Sequence, residues 1–341
     1  MWEKPMLYEK VIEMGNVHFI DTSNFTHEQW LDLRKTGIGG SDAGAIMGLN
    51  KYSTPLSVYL AKKDFASFNG NKATEWGNIL EDPVRQKTRE ELGIEIETVP
   101  GMFRNKEHDF MNANFDGLVY VEGKKEIAGS VVSGLGGHEI KTSRTGDGFT
   151  EDEVPDSYYA QVQHYMAVTG ISFFVLTVFI FDQYAGRHYV IPRNDEFIEL
   201  LKKREMDFWE NNVMTDIAPA PTGNENEVDL VKSLPMAEEI CLDGECEQLL
   251  DEKEHLDAQI HDLQTKSDAI KEQILLRMAQ VSEENSGATK SVATCGRWKI
   301  TLNTQTSKRV DTNALKKAGI YDEYAKESVS KVMRITKTKG V

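Results

Sequence analysis

The sequence predicts an α/β fold, a central mixed sheet with flanking helices, followed by a C-terminal extension of helix, short strands and a basic tail. Three observations predict it. Helical patterns dominate residues 26–92, strand-like and helical segments then mix up to residue 212, and a polar break at Ile217–Glu227 precedes a long apolar repeat. The expected organisation is a first domain at 1–216, a linker at 217–235 and an extension at 236–341.

Each element has a local cause. Thr26 is a suitable N-cap for a short helix over 26–34, with Glu28 in its first turn. A glycine turn, Gly37-Ile38-Gly39-Gly40, opens into a second helix at Ser41 or Asp42, and Pro55 starts a third. Ala73–Leu92 is a long amphipathic helix ended by Gly93. Short strands follow at Ile94–Val99, Met102–Phe103, Asn114–Val121 and Gly137–Thr142, with an insert at Ala128–Gly137 expected as an extended hairpin. Asp156–Thr169 is helical and stopped by Gly170; Phe173–Phe181 and Arg187–Ile191 form an antiparallel pair; Asp195–Asn212 is a helix. In the extension, Leu249, Leu256, Leu263 and Ile270 recur every seven residues, with Ile260 and Ile274 on the intervening seam positions shared by Lys253 and Ser267. Thr289–Leu302 alternates as a strand does.

Composition narrows the class. At 341 residues and 40% hydrophobic, the chain can bury a sizeable core. No run reaches the roughly 18 apolar residues of a membrane span, and Met1–Lys10 lacks the apolar stretch of a signal peptide. Cys241, Cys246 and Cys295 form no C-x-x-C pair, so free thiols in a reducing cytoplasm are expected. The net charge of −16 argues against a generic nucleic-acid coat. It leaves room for an acidic body with a local basic channel, and residues 308–341 hold nine Lys and Arg against four Asp and Glu.

The residues suited to chemistry are Asp116, in Phe115-Asp116-Gly117, and Glu139-Ile140-Lys141. Glu139 and Lys141 lie two apart on a strand and so project from one face. Two carboxylates can hold a hard divalent cation through oxygen, Mg²⁺ or Mn²⁺ in its place. A neighbouring lysine can position or deprotonate a water and neutralise charge in phosphodiester hydrolysis. Either fragment alone is also ordinary, since E-x-K is a common solvated strand face and Asp-Gly a common turn. Glu81 lies one turn beyond Gly77, whose cost of roughly 1 kcal/mol in a helix suggests a close approach there; an exposed helix acid is the other reading. Gln161 and Tyr165 share a helix face at i, i+4 and suit a phosphate or a catalytic group, or a polar flank against the sheet. Arg34 and Ser41, around the glycine turn, suit an anion or only cap a helix. The turn lacks the pattern of an ATP-binding P-loop.

Taken in order, Trp30…Arg34…Gly37–Ser41, Glu75-Trp76-Gly77…Glu81, Phe115-Asp116-Gly117, Glu139-Ile140-Lys141 and Tyr158-Tyr159-Ala160-Gln161-Val162-Gln163 resemble the lambda exonuclease / YqaJ viral recombinase family over about residues 26–215. The resemblance implies a PD-(D/E)XK, restriction-endonuclease-like core that digests linear double-stranded DNA 5′-to-3′ and leaves 3′ single strands for recombination. It implies Asp116, Glu139 and the Ile140 carbonyl as metal ligands, with Glu81 reaching the metal directly or through water. It makes Lys141 the catalytic lysine and Gln161 an active-site helper, with Tyr158 and Tyr165 as support. Arg34 and Ser41 would hold the terminal 5′ phosphate. It further implies a ring of three subunits around DNA and a single-strand annealing protein as partner. The extension receives no catalytic role from it. An endonuclease or nickase on the same fold, or a non-catalytic DNA-binding scaffold, is the alternative.

Overall fold

A computed structural model describes residues 6–65, 72–234, 236, 240, 242–281, 290–304, 307 and 310–326. Cys241 and half of residues 308–341 lie outside the described residues. The chain forms two compact units, Met1–Leu234 and Pro235–Val341.

In chain order the first unit contains α1 (Leu7–Glu13), β1 (Val17–Asp21), α2 (His27–Lys35), α3 (Gly40–Ile46), α4 (Pro55–Lys62), α5 (Lys72–Leu92), β2 (Ile96–Glu97), β3 (Gly101–Asn105), β4 (Asn112–Ala113), β5 (Gly117–Ile127), β6 (Ser130–Ser143), α6 (Asp156–Thr169), β7 (Phe173–Ile180), β8 (Ala185–Pro192), α7 (Asp195–Phe208) and α8 (Glu225–Ser233). The main sheet has five strands in the order β2-β5-β6-β7-β8. Only β6 and β7 run parallel, and α6 supplies the crossover such a pair requires. A smaller antiparallel sheet joins β1, β3 and β4.

Local signals set many of these boundaries. Thr26 and Gln29 exchange the reciprocal bonds of a capping box at the start of α2. Pro55 starts α4, and Gly170, in the left-handed region, ends α6. The insert after Ile127 is an extended hairpin: β5 and β6 pair from Ile127 with Ser130 back to Gly117 with His138.

Strand alternation then builds two cores. Leu118, Phe174, Leu176 and Val178 face α6, where they pack with Val162, Tyr165 and Met166 and with the stacked rings of Phe103 and Phe115. Val119, Val121, Phe173 and Val175 form the other cluster with Ile94, Ile96 and Leu92 at the end of α5. On that same side Thr88 of α5 donates to Thr177 of β7.

One expectation needs correction, and two stretches add detail. Residues 7–21 hold a helix and a strand that local pattern did not reveal; β1 exists through its register with β3, Val17 opposite Asn105. The helix expected over Asp195–Asn212 is present, α-helical to Phe208 and π-helical over Trp209–Val213. Part of the polar segment read as linker is α8, whose Leu230 and Val231 pack with Leu56, Tyr59 and Leu60 of α4. Glu227 is buried there: its Oε1 accepts from Thr54 Oγ1 at 2.5 Å and its Oε2 from the Thr222 amide at 2.6 Å.

The second unit contains α9 (Gly244–Val281), a hairpin of β9 (Lys290–Cys295) and β10 (Trp298–Asn303), and two short helices, α10 (Thr312–Lys317) and α11 (Tyr321–Tyr324). No helix among the described residues is long and apolar enough to cross a membrane.

Candidate active site

Where the β5–β6 ladder ends, at Gly117 opposite His138, the Asp116 side chain replaces the next rung. Its Oδ2 accepts a hydrogen bond from the Ile140 amide at 2.6 Å. Glu139 and Lys141 project together from the face of β6 covered by α6, and Lys141 Nζ donates to Glu139 Oε1 at 2.8 Å. Gln161 Nε2 on α6 donates to the same oxygen at 2.8 Å and to the Tyr165 hydroxyl at 2.8 Å. The Tyr158 ring lies under the Lys141 ammonium, 4.9 Å from it. Glu139 is 4% exposed, and its other oxygen, Oε2, is buried without a hydrogen-bond partner.

The electrostatics describe a site with too much negative charge. Burial, and then the charge of Glu139, push Asp116 up to about 7. Burial also raises Glu139, against the pull of Lys141. Burial disfavours the Lys141 ammonium, but Glu139 outweighs it and holds that group above the ordinary lysine value. An orphaned carboxylate oxygen next to a carboxyl group that resists ionisation is what a divalent cation would relieve, so the donor set fits a hard metal ion.

Glu81 approaches differently. It sits on α5, which covers the other face of the sheet, and its carboxylate pairs with the buried Arg85. Burial and the charge of Asp116 raise its pKa. Among the described residues no three His, Cys, Asp or Glu side chains converge as a metal cage. The structure therefore brings Glu81 near the acidic pair electrically while Arg85 holds it. At Gly77, among the described residues, an added Cβ would meet only Thr142 Oγ1, at 3.9 Å, so no close contact among them accounts for that glycine.

The second group of expected residues adjoins the first. Arg34 Nη2 donates to Ser41 Oγ at 2.8 Å, and its guanidinium lies 5.0 Å from the Trp30 ring. A cavity of about 190 Å³ opens here, lined by Trp30, Arg34, Ser41, Asn112, Gln161 and Tyr165 among others. Gln161 thus borders this cavity with one side and holds Glu139 with the other. Gly40 makes the closeness possible: a Cβ there would sit 2.4 Å from the Tyr165 ring. Behind the turn, Lys62 Nζ bonds the Arg34 carbonyl at 3.0 Å and Asp42 at 2.7 Å, while Asp42 accepts from the Gly39 amide at 3.0 Å.

Residues that sequence reasoning missed are those positioned by distant partners. Trp30, part of the motif series but without a role in it, could have been given one from its i, i+4 spacing to Arg34. Arg85, on an outwardly ordinary helix, carried no signal, and neither did Asn112. His164 is wholly buried between Glu205 Oε1, 2.7 Å away, and the Asn112 carbonyl, 2.8 Å away. Burial disfavours its charge, but Glu205 more than compensates and raises its pKa.

A mixed sheet with an aspartate at a strand entry and a Glu-x-Lys pair on the adjacent strand defines the class of the first unit, an α/β core with the arrangement expected of the PD-(D/E)XK type. Residues 29–172 match the YqaJ-like viral recombinase domain. The uncharacterized protein YqaJ of Bacillus subtilis (strain 168) is 28% identical over 323 residues, covering 90% of this chain and 93% of that protein. Among solved structures, an alkaline exonuclease (LHK-Exo) from Laribacter hongkongensis is 21% identical, covering 56% of this chain and 94% of its own, with a TM-score of 0.44. A phage-related exonuclease from Haemophilus somnus 129PT is 16% identical, covering 55% and 99%, with a TM-score of 0.39.

Proposed function

We propose that the first unit is a metal-dependent exonuclease that digests linear double-stranded DNA 5′-to-3′, leaving 3′ single strands for recombination by strand annealing. The observation that carries this reading is Glu139. Its Oε1 is fixed by Lys141 and Gln161, its Oε2 is buried and unpartnered, and Asp116 beside it resists ionisation. Asp116, Glu139 and the Ile140 carbonyl would hold Mg²⁺ or Mn²⁺, which activates water and shields phosphate charge. Lys141, kept protonated by Glu139, orients the water and neutralises charge building on the phosphate oxygens rather than taking a proton. Gln161 fixes the Glu139 carboxylate, and Tyr165 fixes Gln161. Glu81 reaches the site by exchanging Arg85 for the cation.

The cavity supports end dependence. Arg34 and Ser41 offer a terminal 5′ phosphate a guanidinium and a hydroxyl, and Gln161 connects this pocket to the hydrolytic carboxylate. The enzyme would act in the cytoplasm of a bacterial or phage-infected cell, beside a single-strand annealing protein, with three first units arranged as a ring around the duplex. Time courses on 5′-phosphorylated linear duplex labelled at either end, and on closed circular duplex, with and without Mg²⁺, test the proposal. Mg²⁺-dependent release of the 5′ label first, with the circle intact, is expected. Degradation of the circle at a comparable rate would overturn it.

A further inference from the structure

The helix α9 spans 38 residues, about 57 Å, and none of its residues is buried. Leu249, Leu256, Ile260, Leu263, Ile270 and Ile274 nonetheless line one seam, interrupted by Lys253 and Ser267, and Leu249, Ile260 and Leu263 are each about 64–65% exposed. An apolar stripe repeated over four heptads is the signature of a helix that pairs with another.

The charges flanking the seam choose the partner and its direction. With Leu249, Leu256, Leu263 and Ile270 at d, the a positions are Cys246, Lys253, Ile260, Ser267 and Ile274. A parallel pair of copies in register would put Lys253 against Lys253 inside the seam. At its g–e contacts it would also set Glu252 against Asp257 and Lys266 against Lys271, each twice. All of these are like-charge contacts. Reversing one helix removes them. With Leu256 opposite Ile260 of the second copy, Lys253 meets Leu263, along which its stem lies while the ammonium reaches water. Ser267 then meets Leu249, and Cys246 meets Ile270. At the g–g contacts Glu252 faces Lys266 twice; one like pair, Asp257 with Asp257, is the remaining cost. Lys266 is now bonded to Asp262 of its own helix at 2.6 Å, an exposed pair that is readily redirected.

We infer that α9 is an interaction surface for a second copy of this chain, and that two copies pair through it as an antiparallel coiled coil. The inference is independent of the catalytic reading, since neither metal nor DNA enters it. The test uses the full chain with Cys241→Ser and Cys295→Ser, leaving Cys246 as the single thiol. Oxidation should leave this protein without disulfide-linked dimers, whereas adding Ile270→Cys should give linked dimers through Cys246 of one copy and residue 270 of the other. In parallel, Leu256→Glu with Leu263→Glu should lower the molar mass in light scattering at least twofold, with the thermal melt of the first unit unchanged. A Cys246–Cys246 link, no link from Ile270→Cys, or an unchanged mass would each overturn the inference. The last of these would leave the seam to a different protein.

Discussion

Gln161→Leu isolates the contact between the two halves of the candidate site. The side chain is 6% exposed and spends both amide hydrogens, one on Glu139 Oε1 and one on the Tyr165 hydroxyl. Leucine keeps most of the volume and removes both bonds. A hydrogen bond to a charged group contributes about 1.5–3 kcal/mol, and each ~1.4 kcal/mol is a factor of ten in rate. If Gln161 holds Glu139 in its reactive orientation, kcat with saturating Mg²⁺ should fall roughly 10- to 150-fold. KM for linear duplex should rise less, because the cavity retains Arg34 and Ser41. The assay is initial-rate release of nucleotides from 5′-phosphorylated linear duplex, with a thermal melt to confirm folding. A folded variant with kcat within twofold of the parent would refute the positioning role of Gln161.

Other perturbations address neighbouring links. Arg34→Ala should slow digestion of 5′-phosphorylated ends by about tenfold or more and that of 5′-hydroxyl ends little; equal losses on both would remove the phosphate pocket. Lys141→Met should abolish cleavage while duplex binding in a gel-shift assay with Ca²⁺ stays within a few-fold, since a group acting on the transition state contributes little to ground-state affinity. The raised pKa of Asp116 gives the fold stability at pH below about 4 that is lost as pH rises through about 7. Mg²⁺ should therefore raise the melting temperature more at pH 8 than at pH 5, and equal shifts would count against the metal site. His164→Leu leaves Glu205 buried and uncompensated, which should cost about 3–5 kcal/mol in denaturant unfolding. Because the folded pKa of His164 is raised, its contribution in the parent is full below about 6.5 and fades as pH climbs through the folded value.

What could be read from the sequence follows how local each feature is. Glu139 and Lys141 were legible as a pair because a strand repeats every two residues, and the structure joins them by a hydrogen bond. Asp156 and Gly170 bracket α6 because a helix stop is a matter of a single residue's backbone freedom. Arg34 and Ser41 were legible as neighbours across a glycine turn, and they bond each other. The partners that tie these groups together were not legible. Gln161 meets Glu139 across 22 residues, and Arg85 differs from an exposed arginine only in what covers it. The segment 217–235 looked like a linker because its composition is polar, yet one glutamate and two apolar side chains suffice to seat α8 on α4.

That seating changes where the protein is modular. Thr54 both caps α4 and donates to Glu227, 173 residues later, so the first unit closes on itself only after the chain has returned to its own early helices. Recombination between relatives that exchanged tails at the proline-rich run near residue 217 would separate a lock from its key. Exchange just past Leu234 would pass the first unit on intact, so any swapping of appendages among relatives should leave its scars there.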